Sequence, residues 1–118
     1  MHFDNNKSIF LQIADNITDK VINGTYPPGE KIPSVRELAA EMGVNPNTIM
    51  RTYTELQTQQ IIDNKRGIGY FVNPGAQKSI LERKKNEFYE HILPEFIRQA
   101  NLLGVTTSEV KKYLDKLN

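Results

Sequence analysis

Apolar residues recur at every fourth position from Ile9 through Ile13, Ile17 and Val21, with Phe10, Ala14 and Ile22 beside them. This one-sided stripe predicts an amphipathic helix over about Ser8–Asn23. Gly24 supplies its cap, and the proline-rich segment TYPPGEKIP that follows is one no helix can cross. A second helix is expected in PSVRELAAEM, where Ser34 and Glu37 stand at capping-box spacing and Leu38, Ala39 and Met42 face inward. Gly43 tolerates the positive φ that ends this helix, and Val44 plugs the corner. The third helix begins at once, with Asn45 as N-cap and Pro46 at the first helical position, where its missing N–H costs nothing. Ile49, Tyr53 and Leu56 share one stripe, which sends Asn47, Arg51, Thr54 and Thr58 to the opposite side, with Thr48 and Glu55 at its flank.

The periodicity then changes. Ile61–Asp63 and Tyr70–Val72 are short β-prone pieces separated by a glycine-containing loop with Lys65 and Arg66, a pattern that predicts a hairpin with a basic tip. NPGAQ at 73–77 reads as a linker, which divides the chain into domains 1–75 and 76–118. From Ser79 the helical pattern returns: Leu81, Phe88, Ile92, Phe96 and Leu103, flanked by Tyr89, Leu93 and Ala100, make a broad apolar face that Pro94 kinks or divides. In the last helix Thr106 and Glu109 form a capping box ahead of Val110, Tyr113, Leu114 and Leu117. Two helices of this length cannot bury such faces alone, and a second copy of the chain is the simplest partner. Phe88, Ile92, Phe96, Leu103, Val110, Tyr113, Leu114 and Leu117 are therefore expected at a homodimer interface.

Composition narrows the function. The 118 residues carry a net charge of +1, too small by itself to indicate a nucleic-acid partner. By segment, Lys31, Arg36, Arg51, Lys65, Arg66 and Lys78 outnumber Glu37, Glu41, Glu55 and Asp63, giving the middle of the chain a mild positive bias. The absence of cysteine excludes disulfides and thiol chemistry. With only His2 and His91 as histidines, and no phosphate-cradling glycine loop or nucleophile elbow, no enzyme and no cofactor is expected. Glu87, His91 and Glu95 stand at i, i+4 and i+8, but Pro94 disturbs that register and a solvated face is the better reading than a metal site. The start, MHFDNNKSIF, shows no leader, and no apolar run approaches a membrane span, so a cytoplasmic protein without membrane contact is expected.

Helix, proline-rich loop, short helix, glycine corner, helix with a polar N-terminus and basic hairpin are, in this order, the parts of a winged helix-turn-helix. The fold expected is mainly α with a small β-hairpin wing, followed by a two-helix C-terminal dimerisation tail. The corner MGVN holds the third helix across the second, so that the third can lie in a major groove about 12 Å wide. Asn45 and Asn47 can donate to phosphates or base edges, Thr48 permits close approach, and Arg51 is the single cation on that face, with a fork suited to guanine or phosphate. Arg36, Lys65 and Arg66 would hold the flanking backbone, Gly67 and Gly69 would let the wing lie close to the duplex, and Ser34 is placed in the same DNA-facing set.

The blocks PPGEKIPSVRELA, GVNPNTIMRTYTEL and RGIGYFV, in that order within LQIADNITDKVINGTYPPGEKIPSVRELAAEMGVNPNTIMRTYTELQTQQIIDNKRGIGYFV, resemble the DNA-binding module of the GntR family of bacterial transcriptional regulators. The short helical tail looks like that of the YtrA subfamily, whose C-terminal part is a dimerisation element. The resemblance implies an operator-binding homodimer, usually a repressor, with Arg36, Asn47, Thr48 and Arg51 as DNA contacts and the wing glycines Gly67 and Gly69 beside a basic residue. Where other members carry an arginine shortly after the corner, this chain has Pro46 and Asn47, which shifts the reading onto Arg51.

Blander roles stay open at this level. Arg51 could pair with Glu55 on a solvated helix face, Lys65 and Arg66 could merely protect a hairpin edge, and Arg36 could be an ordinary surface residue. A protein-interaction adapter built on a winged helix is the competing function. A small-molecule effector, if one acts, would have to bind between the tail helices or at their junction with the winged domain.

Overall fold

The computed structural model describes residues 7–117; residues 1–6, and with them His2, and Asn118 lie outside the described residues. In chain order the elements are α1 (Ile9–Ile22), α2 (Val35–Met42), α3 (Pro46–Thr58), β1 (Ile62–Lys65), β2 (Gly69–Val72), α4 (Ala76–Glu87), a π-helical turn (Phe88–Ile92), α5 (Leu93–Leu103) and α6 (Thr107–Leu114). Contacts divide the chain into one compact unit ending at Leu81 and a second from Glu82 onward.

In the first unit α1 and α2 both pack on α3. Ile13, Ile17 and Val21 of α1, Leu38 and Ala39 of α2, and Ile49, Tyr53 and Leu56 of α3 form the core with Ile61, Ile62 and Val72 from the hairpin. Truncating one of these large side chains to alanine costs about 2–5 kcal/mol. Ile9, expected on the stripe of α1, is instead 47% exposed, at the first residue of the helix. Met42 and Val44 are only partly buried against the core.

Local chemistry sets the helix ends. Ser34 Oγ accepts from the Glu37 N–H (3.1 Å) while the Glu37 carboxylate accepts from the Ser34 N–H (3.0 Å), a complete capping box. Gly43 closes α2 in the left-handed region (φ 66°), and the Val44 N–H reaches back to the Ala39 carbonyl at 3.1 Å. The end of α3 is built the same way without a glycine: Gln60 takes φ 60°, and the Ile61 N–H donates to the Leu56 carbonyl at 2.9 Å.

The hairpin is antiparallel, with Ile62 opposite Val72, Asp63 opposite Phe71, Asn64 opposite Tyr70 and Lys65 opposite Gly69. Its first strand differs from the expected one at both ends: Ile61 lies in the bend between α3 and β1, and Lys65 is the last residue of β1 rather than part of the loop. The proline-rich loop adds a bridge to the outer edge of β2, Lys31 opposite Phe71. The Ile32 N–H donates to the Tyr70 carbonyl and the Val72 N–H to the Glu30 carbonyl, both at 2.9 Å.

Residues 73–77, expected as a linker, are fastened to this unit. Asn73 Oδ1 accepts from the Gly75 N–H at 2.9 Å, Gln77 Nε2 donates to the Ile22 carbonyl at 3.1 Å, and Ala76 and Ile80 are buried in the core. The division by contacts accordingly falls at Leu81–Glu82 rather than after residue 75, and Leu81 stands with the first unit.

In the second unit Pro94 has no N–H to offer the preceding turn, and the chain answers with a π turn: the Leu93 N–H bonds the Phe88 carbonyl, five residues back. Thr106 and Glu109 form the second complete capping box. No side chain of the π turn, α5 or α6 is buried. Phe88, Ile92, Phe96, Leu103, Tyr113, Leu114 and Leu117 are exposed, and so are Tyr89, Ile97 and Leu102, which the stripe did not single out for the interface. Val110 is half-buried and lines an open groove of about 260 Å³ between α5 and α6 with Phe96, Ile97, Ala100 and Leu114. Glu95 is bound by Arg98 (2.7 and 2.9 Å) and Gln99 (3.1 Å) rather than aligned with Glu87 and His91, from which the π turn separates it. Among the described residues no group of side chains is disposed to hold a metal ion, and no helix is long and apolar enough to cross a membrane.

Candidate nucleic-acid interface

The N-terminal half of α3 is a polar surface on a rigid support. Asn45 Oδ1 accepts from the Asn47 N–H at 2.8 Å, so one atom of the Asn45 amide holds the helix start and its NH2 group remains outward. Burial of Ile49, Thr52, Tyr53 and Leu56 leaves Asn47, Arg51, Thr54 and Thr58 exposed, as the periodicity predicts. Thr54 and Thr58 turn their hydroxyls back to the Met50 and Thr54 carbonyls (2.9 and 3.0 Å), which withdraws both donors from that face. Asn47, Thr48 and Arg51 come together with Ser8, Ile9 and Phe10 of the α1 start around an open cleft of about 340 Å³.

The side chain of Arg51 resolves one of the open readings. Its guanidinium carbon lies 4.0 Å from the centroid of the Phe10 ring. Glu55, one turn further along, accepts instead from Gln59 Nε2 at 2.8 Å. Among the described residues the ion pairs are Lys7–Asp15 and Arg98–Glu95, so Arg51 is not neutralised by Glu55.

The wing presents a second cationic surface. Lys65 stands over the Phe71 ring at 4.3 Å, and Arg66 and Gly67 form the exposed turn, with Gly67 at φ 79°. Ile68, which the sequence reading passed over, is 62% exposed at this tip. Gly69 takes φ 141°, a conformation that favours glycine, and a Cβ there would lie 2.7 Å from Lys31 Cε, the mobile end of a side chain that can move aside. Lys31 thus crosses β2 at Gly69 and joins Lys65 and Arg66 at the wing, a third cation that only the loop-to-strand bridge reveals.

α2 packs on α3. Arg36 is exposed on its first turn and has no ion pair among the described residues. Ser34 is committed to the capping box through its oxygen, though its hydroxyl hydrogen is not part of that bond. Hydrogen bonds from Ser34, first its backbone N–H and then its hydroxyl, hold the Glu37 carboxyl below the usual carboxylate range, with Lys31 adding to the effect. Behind the surface, Tyr53 donates its hydroxyl to the Pro33 carbonyl at 2.6 Å and meets Tyr70 edge-on, ring centroids 4.8 Å apart. The cleft, the exposed α2 start and the wing are therefore carried by one core.

Residues 10–72 match the sequence model of bacterial regulatory proteins of the gntR family. The HTH-type transcriptional regulator YhcF of Bacillus subtilis is 40% identical over 108 residues, which cover 92% of this chain and 88% of that protein. The HTH-type transcriptional repressor YtrA of the same organism is 32% identical, over 93% of this chain and 84% of its own. Among solved structures, a GntR family transcriptional regulator from Listeria monocytogenes superposes with a TM-score of 0.75 at 34% identity, over 98% of this chain and all of that one. The DNA-binding domain of AraR, solved in complex with its operator ORX1, matches 60% of this chain and 92% of that one, with a TM-score of 0.54 at 28% identity. These relatives are transcriptional regulators, not enzymes. Their near full-length match and the winged helix-turn-helix together establish that the chain belongs to the GntR family, with YtrA-type regulators among its relatives, and is a DNA-binding transcriptional regulator.

Proposed function

We propose that the chain is a homodimeric repressor that binds a two-fold symmetric operator through α3 and the wing. The observation that carries this reading is the division of α3 into a buried side, Ile49, Tyr53 and Leu56, and an exposed side that offers Asn47 and an unneutralised Arg51. Such a helix can enter the major groove with Arg51 toward a guanine edge and Asn47 and Thr48 toward bases or phosphates. Ser34, Arg36 and Asn45 then face the backbone on one flank, and Lys65, Arg66 and Lys31 face it on the other, where Gly67 and Gly69 keep the wing thin. The operator complex of the AraR domain supports duplex DNA as the partner.

The second unit supports the dimer. A π turn and two helices with Phe88, Ile92, Phe96, Leu103, Tyr113, Leu114 and Leu117 exposed and no side chain buried make a large apolar surface of the kind that marks a protein interface. Val110 completes this face from within its groove. Two-fold pairing gives two recognition helices for half-sites about one helical turn apart.

Incubating the purified chain with a randomised duplex pool at near-physiological salt and sequencing the bound fraction tests the reading. A symmetric motif with half-sites about one turn apart is the expected result. A lone asymmetric site, or no enrichment at any salt, overturns it.

A further inference from the structure

The geometry points to Phe10 as a positioning residue that sets the base preference of the protein by holding Arg51 in its reading orientation. The inference rests on the proposal that Arg51 faces base edges, and it assigns a role in DNA readout to a helix, α1, whose residues had only a packing role.

Three observations converge on this pair. The Phe10 ring lies under the Arg51 guanidinium at 4.0 Å, within the distance at which a cation is attracted to the face of an aromatic ring. The backbone that carries the ring meets α3 beside Arg51: the hydroxyl of Thr52, fully buried, donates to the Thr48 carbonyl at 2.8 Å and shares its hydrogen with the Phe10 carbonyl at 3.2 Å. The alternative partner is not engaged: among the described residues Arg51 and Glu55 form no ion pair, and Glu55 accepts from Gln59.

The chemical consequence follows from what each partner would take. A carboxylate would consume the N–H donors of the guanidinium and cancel its charge. A phenyl ring accepts neither, so the donors that a guanine O6/N7 edge needs remain available. An arginine side chain on a bare helix face also loses its rotamer freedom when it reads a base, and a platform that already restricts it lowers that cost. The cleft bounded by Phe10, Asn47, Thr48 and Arg51 is the space this arrangement leaves open beside the guanidinium.

The test is a double-mutant cycle on the full chain, with the duplex that the wild type enriches from a randomised pool and a scrambled duplex of equal length as probes. Phe10→Leu and Phe10→Met remove the ring but keep an apolar side chain, Phe10→Tyr keeps the ring, and Arg51→Ala supplies the second arm. Thermal melts identify the variants that fold like the wild type, and Phe10→Tyr carries the comparison if neither aliphatic variant does, since it must then bind like the wild type. Loss of the ring is expected to weaken the enriched duplex roughly two- to fivefold and leave the scrambled one unchanged. Phe10→Tyr should restore binding, and the aliphatic substitutions should have no effect in the Arg51→Ala background. Equal loss on both duplexes, the same loss with and without Arg51, or a folded Phe10→Tyr that has lost its preference overturns the role of Phe10. If Arg51→Ala alone weakens both duplexes equally, the reading of Arg51 fails first, and that single variant shows it.

Discussion

Tyr53 of α3 donates its hydroxyl to the carbonyl oxygen of Pro33 at 2.6 Å, a bond across 20 residues that ties α3 to the loop entering α2. The phenol is fully buried and its pKa lies well above the usual tyrosine value, chiefly through burial. Tyr53→Phe leaves the Pro33 carbonyl without this donor and is expected to cost about 1–2 kcal/mol in denaturant melts at neutral pH. Because the folded-state pKa is raised, the contribution is complete below the unfolded pKa of about 10 and is lost as pH rises beyond it. The alkaline fall in stability above about pH 10 should therefore be shallower in Tyr53→Phe than in the wild type. Parallel slopes for the two proteins would rule this account out.

Two helix ends of the first unit make opposite demands on their left-handed residue. Gly43 sits at φ 66° with open space around it, so Gly43→Ala should lose about 1 kcal/mol from backbone strain alone. Gln60 holds φ 60° with a side chain, and Gln60→Gly should gain about 0.5–1 kcal/mol. Chemical denaturation of both variants checks the pair; a stabilised Gly43→Ala, or a destabilised Gln60→Gly, contradicts it.

The three wing cations should act without regard to sequence. Lys31→Ala and Lys65→Ala are each expected to weaken specific and random duplexes alike and to lower the salt dependence of binding by about one charge. Arg51→Ala should instead erode the preference for the selected motif. Titrations at several salt concentrations separate the two behaviours, and an unchanged salt slope in Lys31→Ala would remove it from the wing surface.

Dimerisation should reside in the second unit. Phe88 and Phe96 are 43% and 47% exposed, and charged replacements at both, Phe88→Glu with Phe96→Glu, should convert a dimer at micromolar concentration to a monomer while the first unit keeps its fold. Sedimentation equilibrium reads the mass directly. A wild type that sediments as a monomer refutes the homodimer.

The features legible in the chain are those made by neighbours within about one helical turn. The Ser34–Glu37 and Thr106–Glu109 boxes, the Asn45–Pro46 start, the Gly43 corner and the buried sides of α1 and α3 all depend on side chains meeting their own backbone or repeating at helical spacing. The exposure of Asn47 and Arg51 came with them, since burying Ile49, Tyr53 and Leu56 leaves no other side. Local pattern could not say which neighbour an exposed group would choose. The spacing of Thr52 from Ile49 and Leu56 puts it on the buried side, but does not say that its hydroxyl would meet the Phe10 carbonyl of α1, 42 residues away along the chain. Arg51 had a carboxylate at i+4 and chose a ring on another helix, and Lys31 left its loop to pair with β2. Periodicity fixes which side of an element faces inward; the partners that meet across elements depend on how the helices cross and on strand register, and those are set only when the whole core packs.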